Sequence, residues 1–488
     1  MSDPASRPRP EGDVADPRLT AGDLVEATGG RLLARASRTI LGGAVDSREV
    51  VAGNLFVALP GERVDGHAFV GAAIERGAAA AIVGRPPDGV SLDEVDATIV
   101  QVDDPLSALH AVAGSWRRRF DPLVVGVTGS IAKTSTKEAI ATVLASQLVT
   151  LKNEGNQNNE IGLPLTVLRL RPDHQAAVLE MGMYIGGEIA ELARIGRPEI
   201  GVVTAVQSVH LSRIGTIEAI EQAKGELVEA LPPDGVAILN ADDERVRRMS
   251  SRTAARVMTY GFAPDAMVRA EEVESAGPDG MRFDLVADGA RRPVSIPTLG
   301  RLAVHNALAA AAVGLASGFP ADRLAAALAQ GWSAPHRGVL IRRAGVTLID
   351  DSYNASPGSM IAALDVLAGM PGRRIAVLGE MLELGDDHEE GHQRVGTAAA
   401  AVVDRLVVVG GGAAGIARAA RGAGLVPDAL VEVGDRSAAL LALAPTLGAD
   451  DVVLVKASRG VELDLLVDDL VSALEVREAG ETGRAPKE

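Results

Sequence analysis

LVVGVTGSIAKTSTKE, residues 123–138, decides the fold. Leu123 to Thr128 is an apolar run of the kind that forms a strand buried on both faces. A Gly-Ser turn follows, and from Lys133 the chain reads as a helix continuing to about Leu148. Strand, turn and helix in this order let backbone N–H groups and a helix N-terminus hold phosphates. Lys133 would reach terminal phosphates and Thr134 would offer its hydroxyl to magnesium, with Gly129, Ser130, Ala132 and Ser135 completing the loop. The strict GxxxxGK[ST] pattern fails twice, with Val127 at its first position and Ala132 where glycine precedes the lysine. If Ala132 must take a positive φ, its Cβ costs on the order of 1 kcal/mol or more; a helical φ there costs little.

Working outward, AAVLEMG (176–182), IGVVTAV (200–206) and GVAILN (235–240) read as further strands. Helix-like segments such as IEAIEQAKGELVEAL (217–231) separate them, an alternation that predicts a mainly parallel sheet with helices on both faces. Ala-rich NALAAAAVGLASG (306–318) reads as a buried helix. Upstream, short apolar runs alternate with helical patches in a smaller α/β unit. After a junction at GWSAPHRG (331–338), five strand candidates with helical spacers predict a third, Rossmann-like unit. Its VVVGGGAAG lacks GxGxxG phasing and is a weak cofactor signal. The expected fold class is therefore α/β in three domains, over residues 21–119, 120–333 and 334–476. The first ~20 residues and REAGETGRAPKE (477–488) read as mobile tails.

Length and composition narrow the function. A chain of 488 residues has room for about three domains. With 48 basic against 65 acidic residues, a net charge of −17 argues against binding nucleic acid or an anionic membrane through a basic surface. The absence of cysteine excludes disulfides and thiolate chemistry and fits a reducing compartment. No stretch approaches the ~20 apolar residues of a membrane helix, so the reading is a soluble cytoplasmic protein. Six lysines, Lys133, Lys137, Lys152, Lys224, Lys456 and Lys487, stand against 42 arginines. A lysine kept in so arginine-biased a chain points to chemistry a guanidinium cannot do, such as a compact charge in a phosphate loop or an amine that can be deprotonated and modified.

Phosphoryl transfer needs further metal-binding groups near such a loop. Glu180 ends a strand at the C-terminal edge of the predicted parallel sheet, His210 follows another strand, and Lys224 lies on the helix after it. Asn153, Asn156, Asn158 and Asn159 gather four of the chain's eight asparagines beside Glu160. Their amides can donate to diphosphate or peptide carbonyls.

Eight segments in order then carry a resemblance over almost the whole chain: residues 44–69, 126–138, 154–168, 179–183, 222–231, 348–367, 374–392 and 455–460. In these the sequence resembles the Mur ligase family. EGNQNNEIGLPLTVL and LIDDSYNASPGSMIAALDVL match the branch that joins D-alanyl-D-alanine to UDP-N-acetylmuramoyl-tripeptide with ATP, through an acyl phosphate, in peptidoglycan precursor synthesis. The resemblance implies that Lys133 contacts ATP phosphates, while Thr134, Glu180 and His210 support two Mg2+ sites. Lys224 matches the lysine that this family carbamylates, which gives the amine a carboxylate for the second metal. Asn306 and Arg337 are then expected at the nucleotide, Asp351 at its ribose and Tyr353 near the adenine. Asn354, Lys456 and Arg459 are expected around the phosphates or the incoming dipeptide. Ser47 and Arg48, after Asp46, match the domain that holds the UDP-sugar, and Asn158, Asn159 and Glu160 match substrate contacts. A monomer is implied.

The sequence departs from the family pattern at Ala132, at Leu302 and Ala303, which replace a His-Asn pair, and at His336, where glycine usually precedes Arg337. His305 lies three residues past the missing histidine, and Asn306 matches the family's second asparagine. Two other readings stay open on sequence alone: another amino-acid ligase of the family, and a UDP-sugar-binding relative with impaired turnover.

Overall fold

The computed structural model describes residues 18–61, 64–207 and 215–482. Among the described residues the strands form sheets of five, nine and six. The first follows the order Arg31–Ala34, Thr98–Gln101, Ala80–Val83, Leu55–Val57, Gly43–Ala44, parallel apart from its first strand. The helix Pro105–Arg117 joins it to the central unit, and the two share one apolar core that runs from Leu24 and Leu55 through Val112 and Trp116 to Leu179 and Leu227. Polar contacts pin the same helix: Trp116 Nε1 donates to the Leu170 carbonyl (3.2 Å) and the buried Arg117 Nε to that of Gly196 (2.8 Å).

The central sheet runs Thr150–Lys152, Ala176–Glu180, Leu123–Thr128, Ile200–Val203, Val236–Asn240, Arg256–Gly261, all parallel; the inner four are the predicted strands, and Thr150–Lys152 and Arg256–Gly261 are strands the sequence reading did not give. Its four inner strands are buried along their whole length because helices cover both faces. On one side Lys133–Ala145 packs against the Ala-rich helix Arg301–Ala316, where Ala309 to Ala312 are fully buried. Their small side chains let the two helices approach closely.

The sheet continues beyond the predicted part. Val268–Ser275 adds parallel to Arg256–Gly261, and Met281–Ala287 and Ala290–Ile296 follow antiparallel. Alternating burial along Met281–Ile296 fits a sheet with one wet face, and tight turns at Gly280 and Gly289, both at positive φ, join the strands.

The third sheet has the order Val339–Arg343, Val346–Asp350, Asp451–Lys456, Arg373–Gly379, Arg405–Val409, Leu430–Val433, parallel after its first strand. It holds all five predicted strands. The closing helix runs Leu463–Thr482, which corrects the reading of a mobile tail from residue 477. Arg477 anchors it by donating to the Leu447 (2.7 Å) and Ala344 (2.8 Å) carbonyls, and Leu466, Leu470 and Leu474 bury against the sheet. Among the described residues no helix is long and apolar enough to cross a membrane.

Candidate active site

A cavity of about 540 Å3 lies between the carboxyl ends of the central strands and the loops of the third unit. This is where open α/β sheets place their ligands. One wall is the loop after Leu123–Thr128. Gly129 leaves the strand at φ 146°, and a Cβ there would sit 1.9 Å from Thr204 Oγ1, so the close approach requires glycine. The Thr204 hydroxyl donates to the Ile131 carbonyl at 2.6 Å and holds the loop from the neighbouring strand. Ser130 fixes it further, its N–H donating to the Ala205 carbonyl (2.7 Å) and its hydroxyl to that of Gln207 (3.1 Å).

Ala132 stands at φ 63°, ψ 2°, as the residue before the helix Lys133–Ala145. The strained alternative of the two is the one adopted, and it explains why glycine is usual in such loops. Lys133 and the buried Thr134 open the helix. One turn on, Thr136 Oγ1 donates to Asn306 Oδ1 (2.9 Å), which ties the loop helix to the Ala-rich helix and holds Asn306 at the cavity wall.

Glu180 is 1% exposed. Its Oε1 accepts from Asn158 Nδ2 at 2.7 Å, whereas the buried Oε2 has no hydrogen-bond partner among the described residues. A buried carboxylate oxygen without a donor is costly in a folded protein unless a cation meets it. Lys224, 2% exposed, reaches the same cavity from the helix Ile217–Glu229. Burial first, and then the charge of Lys133, push its pKa well below that of an ordinary lysine. Burial also lowers the Lys133 pKa, opposed by Glu180 and reinforced by Arg337. Two crowded amines facing one orphan carboxylate oxygen make a site short of anionic charge. Among the described residues no three His, Cys, Asp or Glu side chains converge as a ready-made metal site.

The third unit supplies the opposite wall. Arg337 lies over the Tyr353 ring at 4.1 Å and Arg459 at 5.0 Å, so two guanidiniums flank the ring expected near adenine. Lys456, 2% exposed, meets Asp351 Oδ2 at 2.7 Å and donates to the carbonyls of Asp351 (3.3 Å) and Asn354 (2.9 Å). Its donors hold the Asp351–Asn354 loop. His336 also takes a left-handed φ of 57°, again where glycine is usual. Its Nδ1 pairs with Asp350 Oδ2 (2.8 Å) and its carbonyl accepts from the Tyr353 N–H (3.1 Å), contacts that keep the strained turn in place.

The structure gathers Gly129, Ser130, Ala132, Lys133, Thr134, Ser135, Asn158, Asn159, Glu160, Glu180, Lys224, Asn306, Arg337, Asp351, Tyr353, Asn354, Lys456 and Arg459 around this one cavity. Within it, Asn159 Oδ1 is engaged by the Gly162 N–H (2.9 Å) and the Glu160 carbonyl by His110 Nε2 (2.6 Å). Ser47 and Arg48 lie apart, on a short turn of the first unit, where Arg48 forks onto Asp46 (Nη2 to Oδ2 2.6 Å) and helps hold that carboxyl at a pKa of about 2. His210 lies outside the described residues.

Leu302 and Ala303 line the cavity, while His305 turns to Asp242 (3.0 Å) and packs edge-on to Phe262. His305 is thus no stand-in for the missing histidine. Sequence reasoning missed Thr204 and Arg301. Arg301 reaches the cavity from the start of the Ala-rich helix and stacks on Phe262 at 4.2 Å.

Known proteins resemble this chain along most of its length. Models described as Mur ligase family, catalytic domain, Mur ligase middle domain, and Mur ligase, glutamate ligase domain match residues 40–117, 127–314 and 336–459. The UDP-N-acetylmuramoyl-tripeptide--D-alanyl-D-alanine ligase of Synechocystis is 37% identical over 441 residues, 88% of this chain and 91% of that one. The Escherichia coli enzyme of the same name is 38% identical over 80% of this chain and 86% of its own. Among solved structures, MurF from Acinetobacter baumannii superposes with a TM-score of 0.83 at 31% identity, covering 94% of this chain and all of that one. MurF from Thermotoga maritima in complex with ADP gives 0.78 at 28% identity, over 90% and 98%. With three family domains in order and relatives of this identity across most of its length, the chain belongs to the Mur ligase family.

Proposed function

We propose that this chain is an ATP-dependent ligase that joins D-alanyl-D-alanine to UDP-N-acetylmuramoyl-tripeptide. The observation that carries the reading is the cavity itself. A phosphate loop, a buried carboxylate oxygen unpaired among the described residues and a depressed-pKa lysine face two arginines across one space, in a chain whose relatives bear that activity in their names.

ATP phosphates lie along the backbone N–H groups of Gly129 to Thr134, with Lys133 at the γ-phosphate and Arg337 reaching from the third unit. Asp351 takes the ribose. The terminal carboxylate of the tripeptide attacks the γ-phosphorus, ADP leaves, and an acyl phosphate forms. The dipeptide amine then attacks the acyl carbon, phosphate departs, and the amine loses its proton as the amide forms. Lys133 and the guanidiniums of Arg337 and Arg459 stabilise negative charge as it moves from phosphate to leaving group. Because the cavity walls come from two units, their apposition excludes water and protects the acyl phosphate from hydrolysis.

The residues present fit magnesium. Glu180 Oε2 and the Thr134 hydroxyl would hold it, and carbamylated Lys224 would supply the second anion that the carboxylate count lacks. When bound, it neutralises phosphate charge and orients the γ-phosphoryl group. The downward shift of the Lys224 pKa favours the uncharged amine, the form that adds to carbon dioxide. Ser47 and Arg48 receive the UDP-sugar, with Asn158, Asn159 and Glu160 nearer the peptide.

The test mixes the purified chain with magnesium ATP, UDP-N-acetylmuramoyl-tripeptide and D-alanyl-D-alanine, and follows phosphate release and acceptor mass with single omissions. A pentapeptide product requiring every component supports the reading. Phosphate release without that product points to another amine, and tight UDP-sugar binding without turnover refutes ligase activity.

A further inference from the structure

Two lysines of the lysine-poor sequence, Lys137 and Lys152, have no part in the mechanism above. Lys137 is completely buried, and Lys152 sits beside it on the edge strand of the central sheet. Both ammonium groups meet the Glu138 carboxylate, Lys137 at 3.0 Å on Oε1 and Lys152 on Oε2. The Lys137 Nζ also donates to the Asn153 carbonyl at 2.7 Å.

Asn153 is where this network meets the active site. The edge strand pairs with Ala176–Glu180 only as far as Lys152 opposite Val178, so the backbone ladder ends before Glu180. There the Asn153 side chain replaces the missing strand. Its Oδ1 accepts from the Glu180 N–H (2.8 Å), and its Nδ2 donates to the Glu180 carbonyl (3.1 Å) and to that of Gln157 (2.7 Å). Only a carboxamide both accepts and donates in this way. On its other side Glu180 pairs with Val127, directly before the phosphate loop. The Gln157 contact fixes the residue before Asn158, whose amide holds Glu180 Oε1.

We propose that Asn153, anchored by the buried Lys137–Glu138 pair, is a positioning residue that aims the free Oε2 of Glu180 at the divalent cation. Lys137 secures the Asn153 backbone, Asn153 secures both backbone polar groups of Glu180, and Asn158 takes the first carboxylate oxygen. The second oxygen is left in the cavity lining without a partner among the described residues. A lysine suits the buried anchor because its compact ammonium fits a fully enclosed space. The proposal rests on Glu180 being a metal ligand, and the experiment separates the two claims.

The probe is Mn2+ alone, titrated into the full-length protein and followed by the electron paramagnetic resonance of free Mn2+. Glu180→Ala should abolish binding at the site. Asn153→Ala and Lys137→Met should each weaken it by about 10- to 100-fold, the usual effect of losing a group that orients a ligand. In the ligase assay the same two variants should need correspondingly more Mg2+ yet recover most of kcat at saturation. A role in folding alone would lower kcat through the active fraction and leave the metal midpoint where it was. Circular dichroism at the assay temperature checks that each variant is folded. If Asn153→Ala does not fold, Asn153→Asp keeps the acceptor for the Glu180 N–H, loses both donations, and should show the same shift. Loss of binding in Glu180→Ala with unchanged Mn2+ affinity in the Asn153 and Lys137 variants would overturn the positioning role. Unchanged affinity in Glu180→Ala would instead overturn the reading of Glu180 as ligand.

Discussion

Replacing Ala132 by glycine should stabilise this protein, although it removes a side-chain atom. Ala132 holds φ 63°, ψ 2°, and makes no side-chain capping hydrogen bond, so its methyl group contributes strain without a compensating bond. A non-glycine residue in that region costs about 1–2 kcal/mol. Glycine removes this cost but adds about 0.4–1 kcal/mol of unfolded-chain entropy. With both terms near the middle of their ranges the net gain is about 0.5–1 kcal/mol. For a unit of 150–250 residues, about 2–4 °C accompany each kcal/mol, so the melting transition of the nucleotide-free protein should rise by about 1–4 °C. Differential scanning calorimetry reads it directly. Ala139→Gly, in the buried middle of the same helix, is the internal control and should move the transition down. A transition that stays put or falls in Ala132→Gly, with the control behaving as stated, would refute the left-handed geometry.

Gly129→Ala should abolish ATP turnover, and Thr204→Ala should not rescue it, because the added Cβ would still lie 3.0 Å from the Ala205 nitrogen; nucleotide-binding calorimetry on single and double variants checks this. Lys224→Arg should lose activity by about 100-fold or more, beyond the loss at a merely supporting residue. Lys224→Ala should be partly rescued by acetate, and failure of both results would count against the carbamate. Lys456→Met should free Asp351 and raise the KM for ATP about tenfold, on the scale of a hydrogen bond to a charged group, with kcat changed by less than about threefold. Burial holds the His392 pKa below its ordinary value, and its Nε2 accepts from the Met381 N–H at 3.0 Å. The unfolded chain therefore takes up a proton first as pH falls below about 6.5, so third-unit stability should drop with pH there, and His392→Gln should flatten that slope in melts at several pH values.

Much of the fold was legible because buried parallel strands are written as continuous apolar runs, and all the strand candidates from Leu123 onward form where expected. The extension Val268–Ile296 was not, since its alternating polar and apolar residues lack the signature used for the core strands. The end of the chain misled for a similar reason. REAGETGRAPKE is polar, yet its first residues continue a helix whose apolar face lies upstream, at Leu466 to Leu474, and composition alone hides where such a helix ends.

Motif residues of the site were legible when chemistry restricted the residue type. Gly129, Lys133 and Glu180 line the cavity from the loop, the helix start and the strand end where the sequence reading put them. Thr204 was invisible because its role depends on the distance to the next strand's loop, which no local pattern records. For Asn158 the letters gave the place but not the contact its amide makes with Glu180, which spans 22 residues of sequence. The departures at Ala132 and His336 show the converse. Both occupy left-handed turns where glycine is usual, and His336 is offset by its contact to Asp350 while Ala132 has no such partner.

The lysine count carries the argument furthest. All five lysines within the described residues belong to the site or to its supports: Lys133 and Lys224 in the cavity, Lys137 and Lys152 behind Glu180, and Lys456 beneath Asp351. Three of them, Lys137, Lys224 and Lys456, are at most 2% exposed. A guanidinium is larger, planar and always charged. It would not fit the space filled by Lys137 or converge on two carbonyls and a carboxylate as Lys456 does, and it could not give up a proton as the role proposed for Lys224 requires. In a chain that uses arginine wherever a generic positive charge is enough, the surviving lysines therefore mark where size, donor geometry or deprotonation decides the residue. Arginine fills surface ion pairs where none of these applies, as the Arg245–Arg252 cluster paired with Glu218, Glu221 and Glu229 illustrates.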